Sequence, residues 1–352
     1  MQNESKDAIL DEPDHRPTYV LTIDLAEKVV GFYGRGILFG KEYLPEPNDP
    51  FFEEVSRGLV SRLQLCYPQA RILAIKTKTL AQQILAKARE AGPYGFLVST
   101  CYEIAVDEKE DKVDSYDLEI NRLFDLQGNF LGNEARPGFL SFDEQINEIA
   151  ERAAGRKVTI MEDGSFTGTT ISDVIDRLNK RGVEIELIVL GFAFPDAVRQ
   201  IRKSYDGKIE FMKPIDNYID WMPDHDFFPF IPNCGRVIGE IREGKLTAKR
   251  HRTDNAYYAV PYIEPFCPFM DLWAKIPKEH ARDFSRFCLQ KTLDLYEAIN
   301  RREHNRAGIG YGRLLGSTPH RVHLPITIGA ADLPDIGLEV ISFLRQKLAE
   351  LG

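Results

Sequence analysis

The chain has 352 residues, 43% hydrophobic and 28% charged, a globular balance that excludes a disordered chain and suits one large domain or two of ordinary size. Lys and Arg total 45 against 54 Asp and Glu, a net charge of -9, which argues against an electrostatic grip on nucleic acid or an anionic membrane. The opening MQNESKDAILDEPDHRP is polar and acidic, unlike a signal peptide, and no apolar run nears the roughly 20 residues that span a bilayer, so the cytoplasm is the expected location. Residues 1–17, with Pro13 and Pro17, read as a flexible leader. YVLTI from Tyr19 is a predicted strand. Gly31, Gly34, Gly36 and Gly40 do not follow the order of a phosphate-binding glycine loop, so turns and tight packing are expected of them.

RILAI (Arg71 to Ile75) is a predicted strand, KTKT a loop, and Leu80, Ile84, Leu85 and Ala88 the stripe of a helix. YGFLVST from Tyr94 is the next strand. Asp107 to Glu119 is a charge-dense run expected to be solvated, and RLFDLQGNFLG reads as a hairpin turning at Gln127 to Asn129. Ser141 and Glu144 have capping-box spacing before an apolar stripe. VTIM (Val158 to Met161) is a short strand, EDGSFTGTT (Glu162 to Thr170) a polar turn, and Ile171, Val174, Ile175 and Leu178 mark a helix closed by Gly182. Ile185 to Leu190 and a helix opened by Pro195 repeat the plan, and Lys208 to Met212 is a further strand. Such alternation predicts an α/β fold: a mostly parallel sheet with helices on both faces, binding its ligand beyond the carboxyl ends of the strands. Beyond Trp221 the alternation stops. A hairpin is expected at Glu243 and Gly244, a long helix from Lys278, and a closing helix bearing Ile336, Val340, Ile341, Leu344 and Leu348. The expected organisation is therefore an α/β domain over 18–220 and a C-terminal α+β domain or cap over 221–352. Five cysteines without a C-x-x-C pair read as buried free thiols.

The chemistry concentrates in EDGSFTGTT. Free amides at a helix start, with the hydroxyls of Thr167, Thr169 and Thr170, can take a phosphate, while Gly168 permits close approach. Carboxylates of Glu162 and Asp163 can accept hydrogen bonds from ribose hydroxyls and stabilise positive charge on a sugar ring. VTIMEDGSFTGTT resembles the phosphoribosyl-pyrophosphate (PRPP) signature of type I phosphoribosyltransferases: an apolar strand, an acidic pair, three variable residues and Thr-Gly-x-Thr. The resemblance covers about thirteen residues, with consistent strand–helix units from roughly 71 to 215. It implies a phosphoribosyltransferase-like fold and transfer from PRPP to a nitrogen acceptor, with pyrophosphate released and magnesium bound through that pyrophosphate. Glu162 and Asp163 would act on the ribose, and Gly164, Ser165, Phe166, Thr167, Gly168, Thr169 and Thr170 would cradle its phosphate.

The same resemblance places a pyrophosphate loop at Lys76, Thr77, Lys78 and Thr79. A mobile loop would fall within 103–140, where Arg122 and Arg136 are candidate phosphate contacts. MPDHDFF is loosely similar to a base-recognition stretch, which makes Trp221, Asp224, Phe227 and Phe228 acceptor candidates, with a core role as the alternative for the aromatics. Asp224, His225 and Asp226 could ligate a metal but otherwise read as a solvated turn, HRVH (His320, His323) reads as structural, and GIGYGRLLG (Gly308 to Gly316), which could meet an anion through Arg313, reads as a packing loop. The expected partners are PRPP and a small acceptor, with no nucleic acid or membrane, and a homodimer is one assembly open to the chain. The alternative function is a non-catalytic PRPP or nucleotide sensor, which the acidic run at 107–119 favours. An enzyme that removes or exchanges the base of a nucleotide would use the same site.

Overall fold

The computed structural model describes residues 16–33, 48–90, 95–101, 104, 113–212, 215, 217–251, 257–302, 323–329, 333–335 and 337–352. The leader before residue 16, Gly34, Gly36, Gly40, Tyr94, residues 107–112 of the acidic run, residues 308–316, His320 and Ile336 lie outside them.

The fold is α/β, with parallel sheets flanked by helices, and the strands of the described residues divide among three sheets. The largest wholly parallel sheet has five strands: β3 (Phe96–Ser99), β4 (Ser115–Asp117), β7 (Val158–Ser165), β8 (Ile185–Ala193) and β9 (Lys208–Phe211), in the order β4-β3-β7-β8-β9. Helices cover both of its faces. On one, α4 (Phe142–Ala153) and α5 (Thr169–Asn179) bury Ile146, Ile149, Ile171, Val174 and Leu178 against Val158, Ile160 and Ile188. On the other, α3 (Thr77–Glu90) buries Leu80, Ile84, Leu85 and Ala88, the predicted stripe, against Leu97, Met161 and Val189. Local chemistry sets several of these boundaries: Ser141 and Glu144 form the predicted capping box of α4, and Pro195 opens α6 (Pro195–Ile201).

The strand at Arg71 joins a different sheet. β2 (Arg71–Lys76) pairs in parallel with β1 (Thr18–Ile23), which pairs in parallel on its other side with β10 (Tyr218–Pro223). The expected boundary at 220/221 therefore falls inside β10, whose polar and proline residues hide it from a pattern search. The largest core crosses that boundary as well, joining Tyr19, Leu21, Val55 and Leu59 to Phe227, Phe284, Leu289 and Leu344. Here α2 (Pro50–Cys66), the long α7 (Lys278–Arg302) and the closing α8 (Val340–Leu351) pack together. The third sheet is mixed, in the order β14-β13-β11-β5-β6, with β12 (Lys245–Ala248) on β11 (Arg236–Arg242). In it the predicted hairpin β5 (Ile120–Phe124) and β6 (Phe130–Ala135) joins β13 (Tyr257–Val260) and β14 (His323–Pro325). Among the described residues none of the five cysteines forms a disulfide, and four of them are buried. Among the described residues no helix is long and apolar enough to cross a membrane.

Candidate functional site

In the five-stranded sheet the chain runs from β3 to β4 on one side and then returns to build β7, β8 and β9 on the other. Connections thus depart in opposite directions on either side of the β3–β7 pair, which opens a crevice past their carboxyl ends. Thr100, just after β3, and the run Glu162 to Thr170 line this cleft. The three-stranded sheet turns its own carboxyl ends toward it, contributing Thr22, Asp24, Thr77 and Pro223, and the mixed sheet contributes Arg122 and Arg236.

The motif is less of a loop than its composition suggests. β7 continues through Ser165, because Gly164 and Ser165 pair with Phe192 and Ala193 of β8. Both acids therefore sit on a strand, and only Phe166 to Gly168 separates strand from helix. Glu162 is half-buried and accepts a hydrogen bond from the Thr100 hydroxyl. Asp163 is buried, its Oδ1 accepting the Gly164 amide at 2.8 Å. A Cβ on Gly164 would lie 2.5 Å from the Trp221 ring, so this glycine lets the indole close onto the strand. Gly168 has φ +73, and a Cβ there would lie 2.5 Å from the Ala197 carbonyl. It serves as the N-cap residue of α5 and supplies no side-chain cap, which leaves first-turn amides for an anion. The hydroxyls of Thr167 and Thr169 stand 2.9 Å apart and exposed, whereas Thr170 donates to Asn133 Oδ1 at 3.2 Å.

Cations face this loop across the cleft. Arg122 is exposed and forms no ion pair among the described residues. Arg136 pairs with Glu119 at 3.2 Å. Arg236, which no sequence pattern marked, lies 3.9 Å over the Trp273 ring and donates its Nε to the Tyr262 hydroxyl at 3.0 Å. Packing thus fixes its fork, and Arg236 lines the cleft.

The expected pyrophosphate loop does not form. β2 passes directly into α3, with Lys76 ending the strand and Thr77, Lys78 and Thr79 in the first helical turn. Lys76 and Lys78 are exposed, and neither they nor Thr79 line the cleft. Thr77 does line it, at 7% exposure, and its Oγ1 has no hydrogen-bond partner among the described residues. Of the acceptor candidates only Trp221 borders the cleft. Phe227 and Phe228 are 0% and 1% exposed in the main core, Phe227 edge-on to Phe284, so they are packing residues. Phe166 stacks between Phe194 at 4.5 Å and Trp221 at 5.7 Å, tying the signature loop to β10.

Asp224, His225 and Asp226 are no solvated turn. All three are buried, in a short 3-10 turn that follows β10. Asp224 Oδ1 accepts the backbone amides of Asp24 and Leu25, both at 2.9 Å. Burial, reinforced by the neighbouring Asp24, pushes the Asp224 carboxyl well above the usual carboxylate range. Burial would raise Asp24 too, but His225 and Lys28, whose Nζ is 3.4 Å from Asp24 Oδ2, outweigh it and hold Asp24 below the usual carboxylate range. Asp24, Asp224 and His225 stand close enough to share a metal ion, and the Lys28 ammonium 3.4 Å from Asp24 Oδ2 offsets that carboxylate's charge. His323 is buried on β14, away from the cleft lining.

No protein-family model matches the chain, and no curated protein does. Among solved structures, TT1426 from Thermus thermophilus is similar at 11% identity and TM-score 0.27, over 40% of this chain and 88% of that one. An adenine phosphoribosyltransferase is similar at 11% identity and TM-score 0.25, over 53% and 98%. Likeness at that level carries nothing further, and what the cleft can bind follows from its own residues.

Proposed function

We propose that this cleft binds PRPP and transfers its phosphoribosyl group to a nitrogen acceptor, releasing pyrophosphate. One observation carries the reading: all nine residues of the signature-like run line a single crevice at the carboxyl ends of a parallel sheet, with an uncapped helix start at one end of the run and an acidic pair at the other. The amides of α5 with Thr167 and Thr169 take the 5′-phosphate. Glu162 and Asp163 accept hydrogen bonds from the ribose hydroxyls and stabilise the positive charge that develops on the ring. Thr77 and the arginines across the cleft face the diphosphate. Oxygen donors predominate around the ribose, which suits magnesium bound through the diphosphate, where it supplies charge neutralisation. Trp221 offers an aromatic face to the acceptor.

Calorimetry with magnesium and PRPP, run beside a pyrophosphate-release assay over a panel of nucleobases, tests this. Binding with release is the expected result. Binding without release from any acceptor would make the protein a PRPP sensor, and absence of binding would reject the reading.

A further inference from the structure

Two parallel strands that are neighbours in space and about 200 residues apart in sequence end at the same point. β1 and β10 run in register to Thr22 opposite Pro223, and the residues that follow, Asp24 from one strand and His225 from the other, meet with Nδ1 2.7 Å from Asp24 Oδ1. Because Asp24 is ionised, it accepts from Nδ1, so in the neutral imidazole the lone pair lies on Nε2. Nε2 is 3.6 Å from Asp226 Oδ1, beyond a hydrogen bond, and that oxygen already accepts the Gly235 amide at 2.7 Å. The charged and titratable groups around the ring are Asp24 and Lys28 from the first strand end and α1 (Leu25–Tyr33), Asp224 and Asp226 from its own turn, and His323 and Arg136 at longer range. His225 lines the same cleft as the signature run and is the sole imidazole among the described lining residues.

A nitrogen nucleophile that attacks through an N–H must lose that proton. The signature run offers no unengaged base, since Glu162 accepts from Thr100, Asp163 accepts from Gly164, and both are assigned to the ribose. We propose that His225, oriented by Asp24, is the general base that accepts the proton of the attacking nitrogen. The assignment rests on the phosphoribosyl transfer proposed above. As the nitrogen lone pair forms its bond to the anomeric carbon, the bond from that carbon to the pyrophosphate oxygen breaks and pyrophosphate departs with the electron pair. The proton of the nitrogen passes to Nε2, and the resulting imidazolium is held by Asp24 until water takes the proton. Asp24 is a positioning residue in this scheme and His225 the catalytic one.

His225→Asn separates the roles, because its amide can still donate to Asp24 but it has nothing in place of Nε2. The experiment combines three readings on the full chain: PRPP affinity with magnesium by calorimetry, pyrophosphate release with a nucleobase panel from about pH 5 to 9, and nitrogen NMR of the imidazoles, with His225→Asn assigning the His225 signal. The expected results are a neutral His225 with the proton on Nδ1, a wild-type rate that falls on the acid side through one protonation, and a variant that binds PRPP within about twofold of wild type. The variant's release should drop roughly 100-fold or more and lose the acid limb. A proton on Nε2, an unchanged rate and acid limb in the variant, or PRPP binding without release from any acceptor would each overturn the assignment. Absence of PRPP binding to the wild type would instead remove the transfer reading beneath it.

Discussion

Gly168 meets two demands at once, and a phosphate is not needed for either. Its φ of +73 is costly for any residue with a Cβ, and that Cβ would meet the Ala197 carbonyl at 2.5 Å. Gly168→Val should therefore damage the packing of α5 on α6 along with ligand binding, and a lowered melting temperature should accompany any loss of affinity. Thr167→Ala is the cleaner probe, since its hydroxyl is exposed and its one described partner is Thr169. It should leave the melting temperature unchanged while weakening PRPP by about tenfold, the scale of one hydrogen bond to a charged group, as calorimetry would measure. Thr77 permits a parallel test of the diphosphate end. Thr77→Val should weaken PRPP more than a nucleoside monophosphate, whereas alanine at the exposed Lys76 and Lys78 should change neither; equal losses for the two ligands would take Thr77 out of the diphosphate site.

Elements differ in how far sequence reveals them, and the difference follows from where their information resides. The stripes of α3 and α5, the capping box of α4 and the proline that opens α6 are local, so the spacing of a few residues was enough to place them. The carboxyl end of β7 is not local. Glu162 to Ser165 has the composition of a turn and becomes strand only because β8 lies beside it. KTKT looked like a loop for a related reason: the turn it replaces is absent once β2 feeds straight into α3. The signature residues themselves were legible from order and spacing, but Arg236, Asp24 and Thr100 reach the cleft from distant strand ends with no motif around them. Phe227 and Phe228 make the same point in the core. MPDHDFF resembles a base-recognition stretch, with a core role as the alternative for its aromatics, and their burial shows packing. Phe227→Ala should cost about 3 to 5 kcal/mol of stability by opening a cavity. Denaturant melts should show this loss, with every ligand affected in proportion to the folded fraction.

At the scale of the molecule, neither half stands alone, since β10 completes the sheet begun by β1 and the main core takes side chains from both sides of residue 220. Parallel pairing between strands about 200 residues apart leaves no trace in either segment, which is why the boundary fell inside a strand. Two buried groups near that junction make stability depend on pH in opposite senses. Burial raises the Asp220 carboxyl to about 7. Between about pH 4 and 7 the folded chain keeps a proton there that the unfolded chain has lost, so stability falls as pH rises across that window. Burial lowers His323 well below its ordinary 6.5, and among the described residues neither ring nitrogen has a hydrogen-bond partner. Below about pH 6.5 the unfolded chain gains a proton that the folded one refuses, so this contribution is lost as pH falls. Single substitutions separate the two slopes. Asp220→Asn keeps an oxygen for the Trp221 amide that Asp220 now accepts at 2.9 Å, and its stability relative to wild type should climb by about 1.4 kcal/mol per pH unit from about 4 to 7, then level off. His323→Leu should gain on wild type at the same slope as pH falls below about 6.5. Urea unfolding of wild type and both variants across that range measures both differences, and a pH-independent offset for either variant would show that the group titrates alike in the folded and unfolded chain.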